Sequence, residues 1–214
     1  ACLDHQTLLD LAYGGHGKIG ENHHVAPVHP DYYALPERRQ DHERARQLLK
    51  DAGYPDGLTI EVAVGNTTGP WEASLMQAMR EQMRPAGITL QINKMPSSNY
   101  WDIWKTVPFG FTTWLHRPLG TMVLNLAYRD GAAWNETKYS NPAFEAALDE
   151  ANTYLDPNTR RKKMEKVERI LQDDAAIIQP LWRRVFSASN KRVKNFKRHP
   201  SNYHIVDDIW MADA

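Results

Sequence analysis

Three consecutive stretches decide the fold: Leu58-Thr-Ile-Glu-Val-Ala-Val64, then Pro70 to Arg84 with Trp71, Leu75, Met79 and Met83, then Ile88-Thr-Leu-Gln-Ile92. The first alternates cleanly and is rich in β-branched residues, which predicts a strand. In the second, apolar residues four apart fall on one side of a helix, and Pro85 and Gly87 close it. The third reads as a second strand. A crossover of this length allows the two strands to be parallel, and handedness then favours a right-handed connection. The predicted class is α/β with a mixed or parallel sheet.

Working outward, Leu3 to Tyr13 reads as a short helix with Leu8, Leu9 and Ala12 toward a core, stopped by Gly14-Gly15-His16-Gly17. Residues 18–39 hold Pro27, Pro30 and Pro36 among polar and aromatic residues, and predict a long irregular connection. Asp41 can cap a helix through Ala52 with an apolar stripe of Ala45, Leu48, Leu49 and Ala52, ended by Gly53 and the Tyr54-Pro-Asp-Gly57 turn. Ser97 or Ser98 can cap a short helix bearing Tyr100, Trp101 and Trp104, and Phe109 to Leu115 looks like a third strand. Asn141-Pro142 opens a helix to about Tyr154, and Asp156-Pro157 repeats the device for a helix to about Asp174. Ile177 to Trp182 is a buried-strand candidate, which Arg184 to Ala188 can continue; the last 25 residues show little periodicity.

Composition removes several function classes. Over 214 residues, 42% hydrophobic and 24% charged side chains exclude a disordered or disulfide-scaffold chain. No window approaches the roughly 18 consecutive apolar residues of a membrane span. Ala1-Cys-Leu-Asp-His5 lacks a basic segment followed by an apolar one, so no targeting signal is expected in these residues, although one could have been removed before residue 1. The lone Cys2 excludes an internal disulfide and a thiolate metal cluster.

Formal charge is zero, yet unevenly spread. Between Asp174 and Asp207 no acidic residue occurs, while Arg183, Arg184, Lys191, Arg192, Lys194, Lys197 and Arg198 are positive. Such a run can be a nucleic-acid footprint, but it lacks a zinc-finger, P-loop or RNA-binding signature, so no nucleic-acid partner is expected. A solvated face, or one opposed to acidic surface of the same protein, is the plainer reading.

Among chemical motifs, His16, His23, His24 and His29 are close enough in sequence to share zinc or nickel, but no HExxH or cysteine-paired pattern orders them, and no metal is assigned. No Gly-x-Ser-x-Gly elbow is present, and the two glycine loops, 14–17 and 65–69, lack a phosphate-contacting lysine. The most unusual segment is Phe109-Gly-Phe-Thr-Thr-Trp-Leu-His-Arg-Pro-Leu119. Trp114 can wall a pocket at the end of a strand, with His116 and Arg117 as polar contacts, since ligands of open α/β sheets bind near strand carboxyl ends and Arg pairs with carboxylates bidentately. Trp134, Asn135 and Glu136 are a second candidate patch. For both, the alternative is structural: Trp114 in the core with Arg117 on the surface, and Trp134 merely anchoring a loop.

Several blocks together resemble the periplasmic solute-binding proteins of peptide-type ABC transporters (extracellular solute-binding family 5). They are Leu9-x-x-Ala-Tyr-Gly-Gly-His-Gly17, Pro27-x-His-Pro-x-Tyr32, Asp41-x-x-x-Ala-Arg-x-Leu-Leu-Lys-Asp-Ala-Gly-Tyr-Pro-Asp-Gly57, Tyr139-Ser-Asn-Pro-x-Phe144, Arg160-x-x-x-Met-x-x-Val-x-x-Ile-Leu-Gln-Asp-Asp174 and Val193-x-x-Phe196. The resemblance covers essentially the whole chain and matches the C-terminal part of such proteins. It implies a mixed-sheet lobe of a two-lobed periplasmic-binding-protein fold, with residues 1–177 as the second ligand-binding lobe. Residues 178–214 would then be a segment returning to a first lobe that is absent here. It further implies a non-enzymatic, cofactor-free role: periplasmic binding of a small, peptide-like solute and its delivery to an ABC-transporter permease; the alternatives are an α/β enzyme domain such as a hydrolase with dispersed catalytic residues, or an interaction module without a small ligand. Without the missing N-terminal lobe, the exposed inner faces would be open to association. Peptide binders of the family commonly carry an Asp three residues after the Trp to receive the peptide amine, where this chain has Arg117. The pairs Trp114-x-x-Arg-Pro118 and Trp134-Asn-Glu-Thr137 instead resemble a different branch. An anionic or zwitterionic ligand touching Trp114 and Arg117 is the resulting expectation.

Overall fold

The computed structural model describes residues 1–199, 201 and 203–213. Its elements are α1 (His5–Tyr13), β1 (Gly17–Ile19), α2 (His42–Asp51), β2 (Leu58–Val64), α3 (Trp71–Met83), β3 (Ile88–Lys94), α4 (Ser97–Ile103), β4 (Gly110–Phe111), α5 (Gly120–Ala127), α6 (Pro142–Asn152), α7 (Pro157–Asp174), β5 (Leu181–Arg183), β6 (Val193–Lys194) and β7 (Trp210–Met211). The architecture is mixed α/β. At its centre β2 and β3 run parallel in unbroken register from Leu58 opposite Ile88 to Val64 opposite Lys94, and β4 joins the other side of β2, also parallel.

A first apolar core lies under this sheet. Leu75, Met79 and Met83 of α3 are buried against Val62, Val64 and Leu90, with Leu8 and Leu9 of α1 completing it, as the four-residue spacing requires. A second core gathers Leu124, Phe144, Leu148, Met164, Val167 and Leu171 from α5, α6 and α7, with Val25 from the 18–39 connection. Phe111 packs against the first core and Trp114 against the second, so the two meet across four residues of chain.

Local signals account for most boundaries. Asp4 caps α1 and Gly14 closes it at φ 58°, a left-handed conformation that glycine takes without a Cβ penalty. Asn141 and Asp156 cap α6 and α7 ahead of their first-turn prolines. Elsewhere the structure departs from expectation. The α2 stripe is mostly uncovered: Ala45 is buried, but Leu48 is 52% exposed, because α2 lies at the periphery. No serine side chain caps α4, which follows Pro96 directly. The third strand shrinks to Gly110–Phe111, because Thr112, Thr113 and Trp114 turn to carboxylates instead of a ladder. Of the 177–188 stretch only Leu181–Arg183 is strand, and it pairs antiparallel with β1.

The long connection 18–39 is irregular, as predicted after its first residues, yet it is held firmly. Asp31 is buried and accepts from the backbone N–H groups of Gly120 (2.9 Å) and Thr121 (3.2 Å), capping α5 from far along the chain. Glu21 accepts from the Tyr32 hydroxyl and the Leu35 amide, while buried Glu168 of α7 accepts from the Tyr33 amide at 3.2 Å. Burial pushes the Glu168 carboxyl up to about 10, against the pull of that amide.

An unfolded glutamate titrates near 4.3. Between that pH and about 10 the folded chain therefore keeps a proton that the unfolded chain has lost. The contribution of Glu168 is complete on the acid side of this window and declines as pH rises through it. Glu168→Gln, which fixes the neutral state, is expected to raise stability at pH 8 on the order of 2 kcal/mol and to matter little at pH 4. Urea midpoints of parent and variant at the two pH values check this; a gap that does not widen with pH would contradict it.

Candidate functional site

The site is assembled where the parallel strands end. Leaving β2, the 65–69 loop is tied to buried Glu72 in α3, whose carboxylate accepts from the amides and hydroxyls of Thr67 and Thr68. The same carboxylate accepts from the Thr113 hydroxyl at 3.0 Å, so it also fixes the segment leaving β4. One residue on, the Trp114 indole N–H donates to Glu136 Oε1 at 2.9 Å, and the Thr112 hydroxyl donates to the other oxygen. Burial raises the Glu136 carboxyl above its usual range, opposed by these two donors.

Trp114, Trp134, Glu136 and Arg117 are thus brought together. The rings of Trp114 and Trp134 meet edge to face at 5.5 Å, and the Arg117 guanidinium lies 5.7 Å from the centre of the Trp134 ring, within cation–π range. Trp104 extends the aromatic wall from the far side of Trp134. His116 stands apart from this group and stacks on His29 at 5.2 Å. Asn135 is spent on its own loop. Its amide donates to the carbonyls of Arg129 and Tyr139, and its oxygen accepts from the Tyr139 amide and the Thr137 hydroxyl, so both donors and both lone pairs are occupied. Its position makes it a staple of the 129–139 turn, unlike its neighbour Glu136.

A cleft of about 600 Å³ opens beside this wall, within the size range of small-molecule sites. Trp114, Phe111 and Trp182 give it an apolar face, and Lys18, Arg117, Arg183, Arg184 and Arg198 bring positive charge. Among the described residues, no aspartate or glutamate lines it. Two of its imidazoles are held neutral at physiological pH. His24 is lowered to about 3, first by burial and then by neighbouring His29 and His23; His29 is lowered to about 4 by burial and by His116. Among the described residues, no three His, Cys, Asp or Glu side chains converge as a metal site would require.

Sequence reasoning did not assign His24, His29, Trp182 or the arginines of 183–198 to the site. Their signals were visible separately, as a histidine-rich loop and an acid-free basic run. The antiparallel pairing of β1 with β5 carries both to one cleft, and three-residue strands leave almost no periodic trace.

The fold is a mixed α/β architecture that resembles a periplasmic-binding-protein lobe. The chain belongs to the bacterial extracellular solute-binding proteins, family 5, whose middle-region model matches residues 1–135. Among curated relatives it is similar to the nickel-binding protein NikA of Staphylococcus aureus, 21% identical over 211 residues, spanning 96% of this chain and 42% of that protein. The glutathione-binding protein GsiB of Pectobacterium atrosepticum is 21% identical over 234 residues, spanning 99% and 43%. Of solved structures, the dipeptide-binding protein from Pseudoalteromonas sp. SM9913 in complex with Met-Leu superposes with a TM-score of 0.81 at 16% identity, over 99% of this chain and 43% of that one. The chain spans less than half the length of the curated relatives it matches.

Proposed function

We propose that this chain forms one ligand-binding wall of a periplasmic solute receptor that delivers a small anionic or zwitterionic solute to an ABC-transporter permease. In this reading residues 1–177 are the lobe, residues 178–214 return toward a second lobe supplying the opposite wall, and the protein binds without turnover. The observation that carries the proposal is the cleft beside Trp114, with an aromatic face, five cationic side chains and no carboxylate. Family membership agrees with it. Val28 and Leu115, which line the cleft, are 62% and 50% exposed, apolar surface that a second lobe or another copy would cover.

Native mass spectrometry of the full-length protein from its source is the direct test. A retained small anion or zwitterion is expected, and a hydrolysis screen should show no turnover. Arg117→Ala in that protein is expected to weaken retention about 10- to 100-fold, the scale of a charge-assisted hydrogen bond, without changing far-UV circular dichroism. Unchanged affinity would remove Arg117 from the site.

A further inference from the structure

Among the described residues, five buried side-chain nitrogens have no hydrogen-bond partner in the protein: His23 Nε2, His29 Nε2, Arg117 Nε, Trp182 Nε1 and Arg198 Nε. His23 lies outside the cleft, with Nε2 at 3.5 Å from Glu21 and 3.6 Å from Glu168. The residues bearing the other four all line the cleft beside Trp114. Buried polar groups in folded proteins are almost always partnered, and a concentration of exceptions on one surface calls for a common cause.

All four are donors. Arginine Nε and indole Nε1 carry a hydrogen and accept nothing. For His29 the tautomer follows from its neighbour: Nδ1 accepts the Ala26 amide at 2.9 Å, which leaves the proton of the neutral ring on Nε2. The Arg117 backbone carbonyl already approaches that ring, so Arg117 Nε, Arg198 Nε and Trp182 Nε1 are the donors that carry the argument. Neither nearby carboxylate lines this cleft: Glu72 serves Thr67, Thr68 and Thr113, and Glu136, which lines an adjoining cavity, serves Thr112 and Trp114.

We infer that the solute is a multiply charged oxyanion without an ammonium group, carried on a carbon body that packs against Trp114 and Trp182. The inference rests on the solute-binding reading above and narrows it. A cleft that offers unpaired donors and fixed positive charge rewards a ligand composed of acceptors. A zwitterion would bring an ammonium group to a cleft lined, among the described residues, by no carboxylate and by arginines that repel it. Carboxylate and phosphate oxygens satisfy the same donors, so the probes must separate them.

Calorimetric titration of the full-length protein with tricarballylate, pyrophosphate and the dipeptide Ala-Ala at one ionic strength makes the test, together with Trp182→Phe, which removes one donor and keeps an aromatic ring. At least one polyanion is expected to bind 10-fold or more tighter than Ala-Ala, and Trp182→Phe to weaken that anion about 10-fold. Preference for tricarballylate assigns carboxylates, and preference for pyrophosphate assigns phosphates. Ala-Ala binding as well as either anion, or anion affinity indifferent to Trp182→Phe in a folded variant, overturns the inference and leaves a solute receptor standing. No heat from any probe and no retained solute would overturn both.

Discussion

Replacing Glu72 by alanine is expected to lower unfolding free energy by about 2–3 kcal/mol and to loosen the proposed ligand wall at the same time. The carboxylate is fully buried and gathers five hydrogen bonds at 2.8–3.1 Å from Thr67, Thr68 and Thr113. Alanine leaves two backbone amides without their acceptor, and the threonine hydroxyls lose their shared anchor. Glu72→Gln, which keeps one acceptor oxygen, should cost roughly half as much. Urea unfolding gives the stability, and tryptophan fluorescence reports whether Trp114 has gained solvent access. An alanine variant as stable as the parent would mean that the 65–69 loop finds other partners.

Gly20→Val attacks the same wall from the opposite side. The chain at Gly20 passes so close to the 179–181 segment that a Cβ there would stand 2.1 Å from the Gln179 carbonyl oxygen and 2.9 Å from its carbon. Both are backbone atoms, so no rotamer relieves the clash. The bonds from Gly20 N–H to Pro180 O at 2.8 Å and from Gln179 N–H to Asn22 Oδ1 at 3.0 Å would yield with it. Overpacking of this kind costs about 1–3 kcal/mol. The larger consequence is that Trp182, two residues beyond Pro180, is displaced from the cleft, and solute retention should fall about tenfold or more. Native mass spectrometry compares occupancy in parent and variant; full occupancy in a folded Gly20→Val protein would detach this crossing from the site.

The legible parts of the fold were those whose causes are local. The β2–α3–β3 unit announces itself by periodicity, and α6 and α7 by Asn-Pro and Asp-Pro at their starts. α5 was passed over because its cap is Asp31, remote in sequence, while Leu119 at its own boundary contributes no side-chain bond. The strand expected after Phe109 ended early because Thr112 and Trp114 are bound to Glu136, a partner that spacing does not reveal. In the site, the Trp114 and Trp134 motifs were recognisable as residues of unusual type, and the structure brings them together with Arg117 and Glu136. The histidine and arginine side of the cleft required knowing that β1 and β5 pair.

The two apolar cores carry one more consequence. Separate cores tend to behave as separate cooperative units, each able to open without the other. Phe111 belongs to one and Trp114 to the other, so the proposed ligand wall is a seam between units and exists only while both are closed. A solute held against that seam binds neither half-opened form, and its binding free energy is added to the stability of both halves together. Occupancy would then set how cooperatively this protein unfolds, fusing two partial transitions into one.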